Sequence, residues 1–250
     1  MKAFRSILAT LLVSGIFVFF ACESALGPNE IGGDTNLDLT KVGGEFVANL
    51  YPDVWVPGFD HLKDTAITTK NDKGNVTIHV RSGFDTVFIS ALDSYLGTNL
   101  LPKELKTALI DKYLKMFGAT LDTSNKQKMH LEFDLKMKVT SEGIQEYMSG
   151  GDTFSNPHTI VKYSANVGDK YEYTDSEGIK VTRTVVSKST TDDYYMGFLM
   201  IKVIKVEQTK EDPVVDKITY VTNHKFGLVA VILQTKTGKV VKLGIFPPNS

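Results

Sequence analysis

At 250 residues and 42% apolar composition, the chain is long enough to bury a large core without covalent staples, and its single cysteine excludes an internal disulfide. A formal net charge of −1, with no cluster of Lys or Arg, excludes the basic footprint of a nucleic-acid binder. No internal repeat or long low-complexity tract is present, so one domain, or two small ones, is expected.

The first 22 residues read as an address. Lys2 and Arg5 form a basic start, Ile7 to Phe20 is almost wholly apolar, and Ala21 and Cys22 follow. This is the layout of a secretory signal, and the apolar run falls short of the ~20 residues a spanning helix needs. The stretch Phe19-Phe20-Ala21-Cys22 resembles the lipobox of bacterial lipoproteins. The resemblance implies cleavage before Cys22, fatty acylation of that residue (palmitate among the chains) and retention at the bacterial cell envelope, at the outer membrane. Membrane contact would then run through the lipid at Cys22. It also accounts for the lone cysteine, since acylation removes a thiol that an oxidising compartment would leave exposed. Residues 1–21 are read as signal peptide and 22–43 as a flexible tether, on Gly27-Pro28, Gly32-Gly33-Asp34 and Gly43-Gly44. Residues 44–250 are read as a single α+β domain with a possible sub-boundary near 150.

Short strands are expected over Phe46–Tyr51 and Val54–Val56, then a clearer one over Asn75–Arg81, where Val76, Ile78 and Val80 alternate with polar residues. Asp85 can cap a helix carrying Val87, Phe88, Ala91, Leu92, Tyr95 and Leu96 and stopped by Gly97. Pro102 opens a second helix, with Leu105, Leu109, Leu114 and Phe117 at helical spacing and Gly118 at its end. Together these predict a helical hairpin whose apolar face lies on a sheet. Lys128–Thr140 alternates strictly, with Met129 to Val139 on one face and His130 to Lys138 on the other. Glu142–Met148 is expected as a short helix. From Thr159 onward a run of strands joined by short turns requires antiparallel neighbours. Tyr194–Ile201 and Leu228–Leu233 are apolar on both faces and must be covered on both. The predicted fold is therefore α+β: a mainly antiparallel, curved or doubled sheet with a helical hairpin packed on it.

Chemistry-bearing patterns are sparse. The sequence contains no Gly-x-Ser-x-Gly, Ser-x-x-Lys, His-Glu-x-x-His, Gly-x-x-x-x-Gly-Lys or Gly-x-Gly-x-x-Gly motif. His130-x-Glu132-x-Asp134 sets an imidazole and two carboxylates along one strand face and reads as solvated surface; His79 would join it only if register allowed. His224 falls in an Asn-His-Lys-Phe-Gly turn with Phe226 inward, and Asp192-Asp193-Tyr194-Tyr195 reads as a loop running into core aromatics. Trp55, flanked by Tyr51 and Phe59, is expected as a core plug. No catalytic residue, metal site or cofactor is predicted, so the expected role is non-enzymatic binding or structure, with a protein partner or an apolar ligand. A lipid carrier with a cavity between sheet and helices is the alternative, and a hydrolase with a dispersed site, drawing on His79, His130, His158 or His224, is a third.

Overall fold

The computed structural model describes residues 30–97, 102–147, 154–197 and 199–246. The signal peptide, the lipobox and Cys22 lie outside the described residues.

Among the described residues, fifteen strands account for most of the regular structure. They are β1 (Glu45–Pro52), β2 (Lys63–Asp72), β3 (Asn75–Phe84), β4 (Thr120–Asp122), β5 (Met129–Thr140), β6 (Gly143–Glu146), β7 (His158–Lys162), β8 (Lys170–Thr174) and β9 (Lys180–Lys188). After them come β10 (Tyr194–Met196), β11 (Leu199–Ile201), β12 (Ile204–Thr209), β13 (Val215–Asn223), β14 (Gly227–Thr235) and β15 (Val240–Phe246). Twelve of them form one continuous path, β7-β6-β5-β3-β2-β1-β15-β14-β13-β12-β9-β8, with β4 paired to β5 at the side. Every register is antiparallel, and the path curls until its ends, β7 and β8, come together. The result is a nearly closed barrel.

The predicted α+β class, with a helical hairpin on the sheet, is overturned: the chain is mainly antiparallel β. Two helices occur at the expected places, α1 (Thr86–Leu96) and α2 (Lys103–Phe117), but they make no packed hairpin layer. Asp85 caps α1 by accepting from the Val87 and Phe88 N–H groups, and Gly97 ends it in the left-handed conformation. Phe88 and Tyr95 are its buried residues and pack with Phe59 and Val241 at one end of the barrel. By contrast α2 touches the barrel through Phe117, whose ring lies 5.5 Å from that of Phe133, and through a 2.7 Å ion pair from Lys112 to Glu177 in the β8–β9 turn. An amphipathic pattern located these helices correctly. It could not say that the sheet would curl into a nearly closed barrel and offer them no open face to cover.

The region expected as tether, 22–43, is shorter than expected: from Ile31 onward the chain is docked. Ile31 is buried and its N–H donates to Gln145 Oε1 at 3.3 Å. Asp34 N–H donates to Ser141 Oγ at 2.8 Å, and Asn71 Nδ2 donates to the buried Thr40 at 3.0 Å. Leu37 and Leu39 pack against the interior cluster of Val76, Ile144, Val161, Val185 and Val206. Residues 31–40 therefore act as a strap under the barrel end that carries the β2–β3, β5–β6 and β13–β14 turns.

Residues 142–148, expected as a helix, contribute β6 instead. The stretch Tyr194–Ile201, expected to be covered on both faces, is broken at Gly197 (φ 71°), and the chain breaks again at 202–203 before β12. The stretch forms a separate two-stranded flap, β10–β11, lying on the outer face of the barrel. Met196 and Ile201 of the flap are buried with Val203, Val221, Val229 and Ala230, which explains why β14 is apolar on both sides. One face meets the barrel interior and the other meets the flap.

Candidate functional site

Antiparallel neighbours normally stay paired along their length. β1 and β2 do so over two register pairs only, Glu45↔Ile67 and Phe46↔Ala66. Beyond these, β1 from Val47 to Pro52 is bonded to β15 alone, and the start of β2 from Lys63 is bonded to β3 alone. The strands part, and a groove of about 710 Å³ opens in the barrel wall between them.

What holds them apart is the connection, residues 53–62. It inserts Phe59, buried and 5.7 Å from the rings of both Phe88 and Tyr95. Gly58 takes φ 95° where an added Cβ would stand 3.0 Å from Val87 Cγ1, so the segment runs hard against α1. His61 Nδ1 lies 2.6 Å from Asp85 Oδ2, which ties the connection to the cap of α1, and the contact raises the His61 pKa. At the other end the Tyr95 hydroxyl sits between Asp53 and the Val240 carbonyl, 2.6 Å from the latter. α1 thus works as a wedge that keeps the seam open.

The groove is mostly apolar. Leu50, Val56, Phe59 and Leu62 reach into it, and Val54 and Trp55 stand at its rim. Trp55, expected as a core plug, is 85% exposed, and Val47, Tyr51 and Val54 are exposed beside it; Phe59 alone of that group is buried. Asp64 lines the same groove. Burial holds its carboxyl above the usual carboxylate range, against a hydrogen bond from Ser82, and its Oδ1 is buried without a partner among the described residues. Both walls are strand edges, so alternate residues turn backbone N–H and C=O groups toward the gap.

The other break in the barrel, between β7 and β8, is filled. Arg183 of β9 is fully buried there. Its Nη2 donates to Glu146 Oε1 (3.0 Å) and Tyr173 OH (3.1 Å), its Nη1 to the carbonyls of His158 (3.1 Å) and Thr159 (2.9 Å), and its Nε to Gln208 Oε1 (2.8 Å). The His158 ring stacks on Tyr173 at 3.8 Å, and burial lowers its pKa, so it stands neutral near pH 7. All five N–H donors of the guanidinium fork are bonded to protein, which makes this cluster structural. The sequence reading passed over Arg183. One signal was present: it shares the inward phase of Val181 and Val185 on its strand.

The remaining predicted positions come out as follows. His79 faces Asp134 across β3–β5 at 3.0 Å, and Arg81 faces Glu132 at 3.0 Å, all on the outer surface. His130 lies opposite Gly83, so register keeps it away from His79. No group of three or more potential metal ligands occurs among the described residues. His224 is exposed in the β13–β14 turn, while Phe226 packs beneath the flap. Of the Asp192–Tyr195 stretch, Tyr194 is half-buried and Tyr195 is 65% exposed, so the second tyrosine is not a core aromatic. No helix among the described residues is long and apolar enough to cross a membrane.

No protein-family model matches the sequence, and no curated protein matches it. Among solved structures it is similar to a Bacteroides fragilis protein described as exported and as having a YmcC-like fold, at a TM-score of 0.42 and 8% identity, over 84% of this chain and 97% of that one. A likeness at that level assigns neither fold nor function.

Proposed function

We propose that this chain is an exported, lipid-anchored protein of the bacterial envelope, held at the outer membrane through Cys22, that acts by binding rather than by catalysis. Its binding site is the groove between β1 and β2, and its ligand is an extended segment of a partner protein that enters as an added strand. The observation that carries this reading is the parting of β1 and β2 after two register pairs. Two strand edges facing one gap supply the ladder groups that strand addition uses. Leu50, Phe59 and Leu62 supply pockets for alternate apolar side chains. Trp55 and Tyr51 at the rim are residue types that dominate interface energetics.

The test uses ten-residue peptides of alternating apolar and polar residues, without proline, and reads amide hydrogen exchange. Binding is expected to slow exchange on both edges, within 47–52 and 63–65, and Trp55→Ala is expected to weaken it at least tenfold. Protection on neither edge overturns the strand-addition reading. A second reading is favoured by the inner-face residues Val80, Phe133, Leu135 and Leu243, which are only half-buried: an acyl chain enters through the same groove. A fluorescent fatty acid that protects the groove where peptides do not would replace the first reading with the second.

A further inference from the structure

The flap β10–β11 has a dry face and a wet face, and the wet face is apolar. Tyr195 and Met200 form a cross-strand pair at 65% and 52% exposure, while Met196 and Leu199, the next pair, turn to the other face. Solvent-facing strands are ordinarily polar, so this pair requires a covering.

Position says what covers it. The flap leaves the barrel at the strap end: Ser189 N–H bonds the Val203 carbonyl at 2.8 Å across its base, and Asn223 Nδ2 donates to the Lys202 carbonyl at 2.7 Å. Asn223 opens the β13–β14 turn, and an added Cβ on Gly227, which closes that turn, would lie 3.3 Å from Leu39 of the strap. The strap begins at Ile31, nine residues from Cys22. Nine residues extend at most about 30 Å and average roughly 16 Å. An acylated Cys22 therefore keeps the strap end, and the flap beside it, next to the bilayer. The groove lies at the far end of β1 and β2, where Pro52 and Lys63 stand opposite in sense to the β2–β3 turn that touches Thr35.

On that reading of Cys22 as the anchor, we infer that the 194–201 flap is a bilayer contact, with Tyr195 and Met200 seated in the interfacial layer of the membrane. Tyrosine favours that layer because its ring is apolar and its hydroxyl stays hydrated. Lys202 and Lys225, both exposed at the base of the flap, face the headgroups. One acyl-bearing residue and one apolar flap both hold the strap end at the bilayer, so the groove at the opposite end of β1 and β2 turns toward the aqueous space.

The chain itself offers the probe. With Cys22 acylated, a cysteine placed at 200 or 55 is the single free thiol. Full-length protein carrying Met200→Cys or Trp55→Cys is labelled with an environment-sensitive dye and reconstituted into phosphatidylcholine–phosphatidylglycerol vesicles containing a shallow nitroxide lipid. Quenching at 200 is expected to exceed that at 55 at least threefold, and Tyr195→Ser is expected to reduce it. Intact mass of the purified chain is read first. An unacylated Cys22 overturns the anchor and this inference together. An acylated chain with equal quenching at the two positions, or with more at 55, overturns the flap contact alone.

Discussion

The two breaks in this barrel began as the same physical problem and were resolved in opposite ways. Between β7 and β8 the backbone ladder stops, and one guanidinium takes over, spanning β6, β7, β8 and β12 from its place on β9. Tyr171 adds a bond to the Lys162 N–H at 3.2 Å, and Lys188 caps the carbonyls of Tyr163 and Ala165. Between β1 and β2 the ladder also stops, but no hydrogen bond among the described residues crosses it; α1 and Phe59 hold the strands apart and an apolar groove remains. A gap filled with satisfied polar groups is a closure. A gap lined by apolar side chains and free strand edges stays open, and on the proposed function it is where the added strand enters.

The contrast can be broken most severely at the closed seam. Arg183→Ala leaves Glu146 buried without its cation, and is expected to cost about 3–5 kcal/mol, seen as a fall in the chemical-denaturation midpoint. Arg183→Met with Glu146→Leu removes both charges, and recovery of most of that loss is expected if the pair matters as a pair. Tyr95→Phe takes away the hydroxyl that joins Asp53 to the Val240 carbonyl, and about 1–2 kcal/mol is expected, with faster amide exchange over 53–62. A smaller effect should come from Asp64. Its folded-state pKa lies above its unfolded value, so the folded chain holds the proton more tightly, and stability is expected to fall as pH rises from the unfolded value through the folded one. Asp64→Asn should flatten that fall and raise stability at neutral pH, as urea titrations between pH 3 and 8 would read. Smallest of all, Trp55→Ala should change stability by no more than about 0.5 kcal/mol while weakening groove binding, because an 85% exposed side chain has little folded-state contact to lose.

Local signals in the sequence carried as far as local physics does. Asp85, Gly97 and Gly118 marked helix ends because caps are decided within a few residues. The twelve residues of β5 announced themselves by strict alternation. β2 went unread: Thr65-Ala66-Ile67-Thr68 is too mild for a pattern, and its strand character comes from nine register pairs with β3. Trp55 was misplaced because aromatic residues between prolines suggest a plug, and only the parting of β1 and β2 shows that Phe59 fills that role. The groove itself has no sequence signature, since it is made by a register that ends early. Arg183 was legible in principle, as a charge in the phase of two valines, but its five partners come from four other strands and no single window contains them.

The pairing of β1 with β15 has a temporal consequence. Val47 meets Phe246 across about 200 residues of chain, so the cylinder has no means of joining until its last strand has been made. A polypeptide threaded through a membrane from its amino end would emerge as an unfinished ribbon, and would round up only when the final segment is released on the far side. Slow, late closure is thus built into the order of the strands, and on the proposed export it would fall after passage through the membrane.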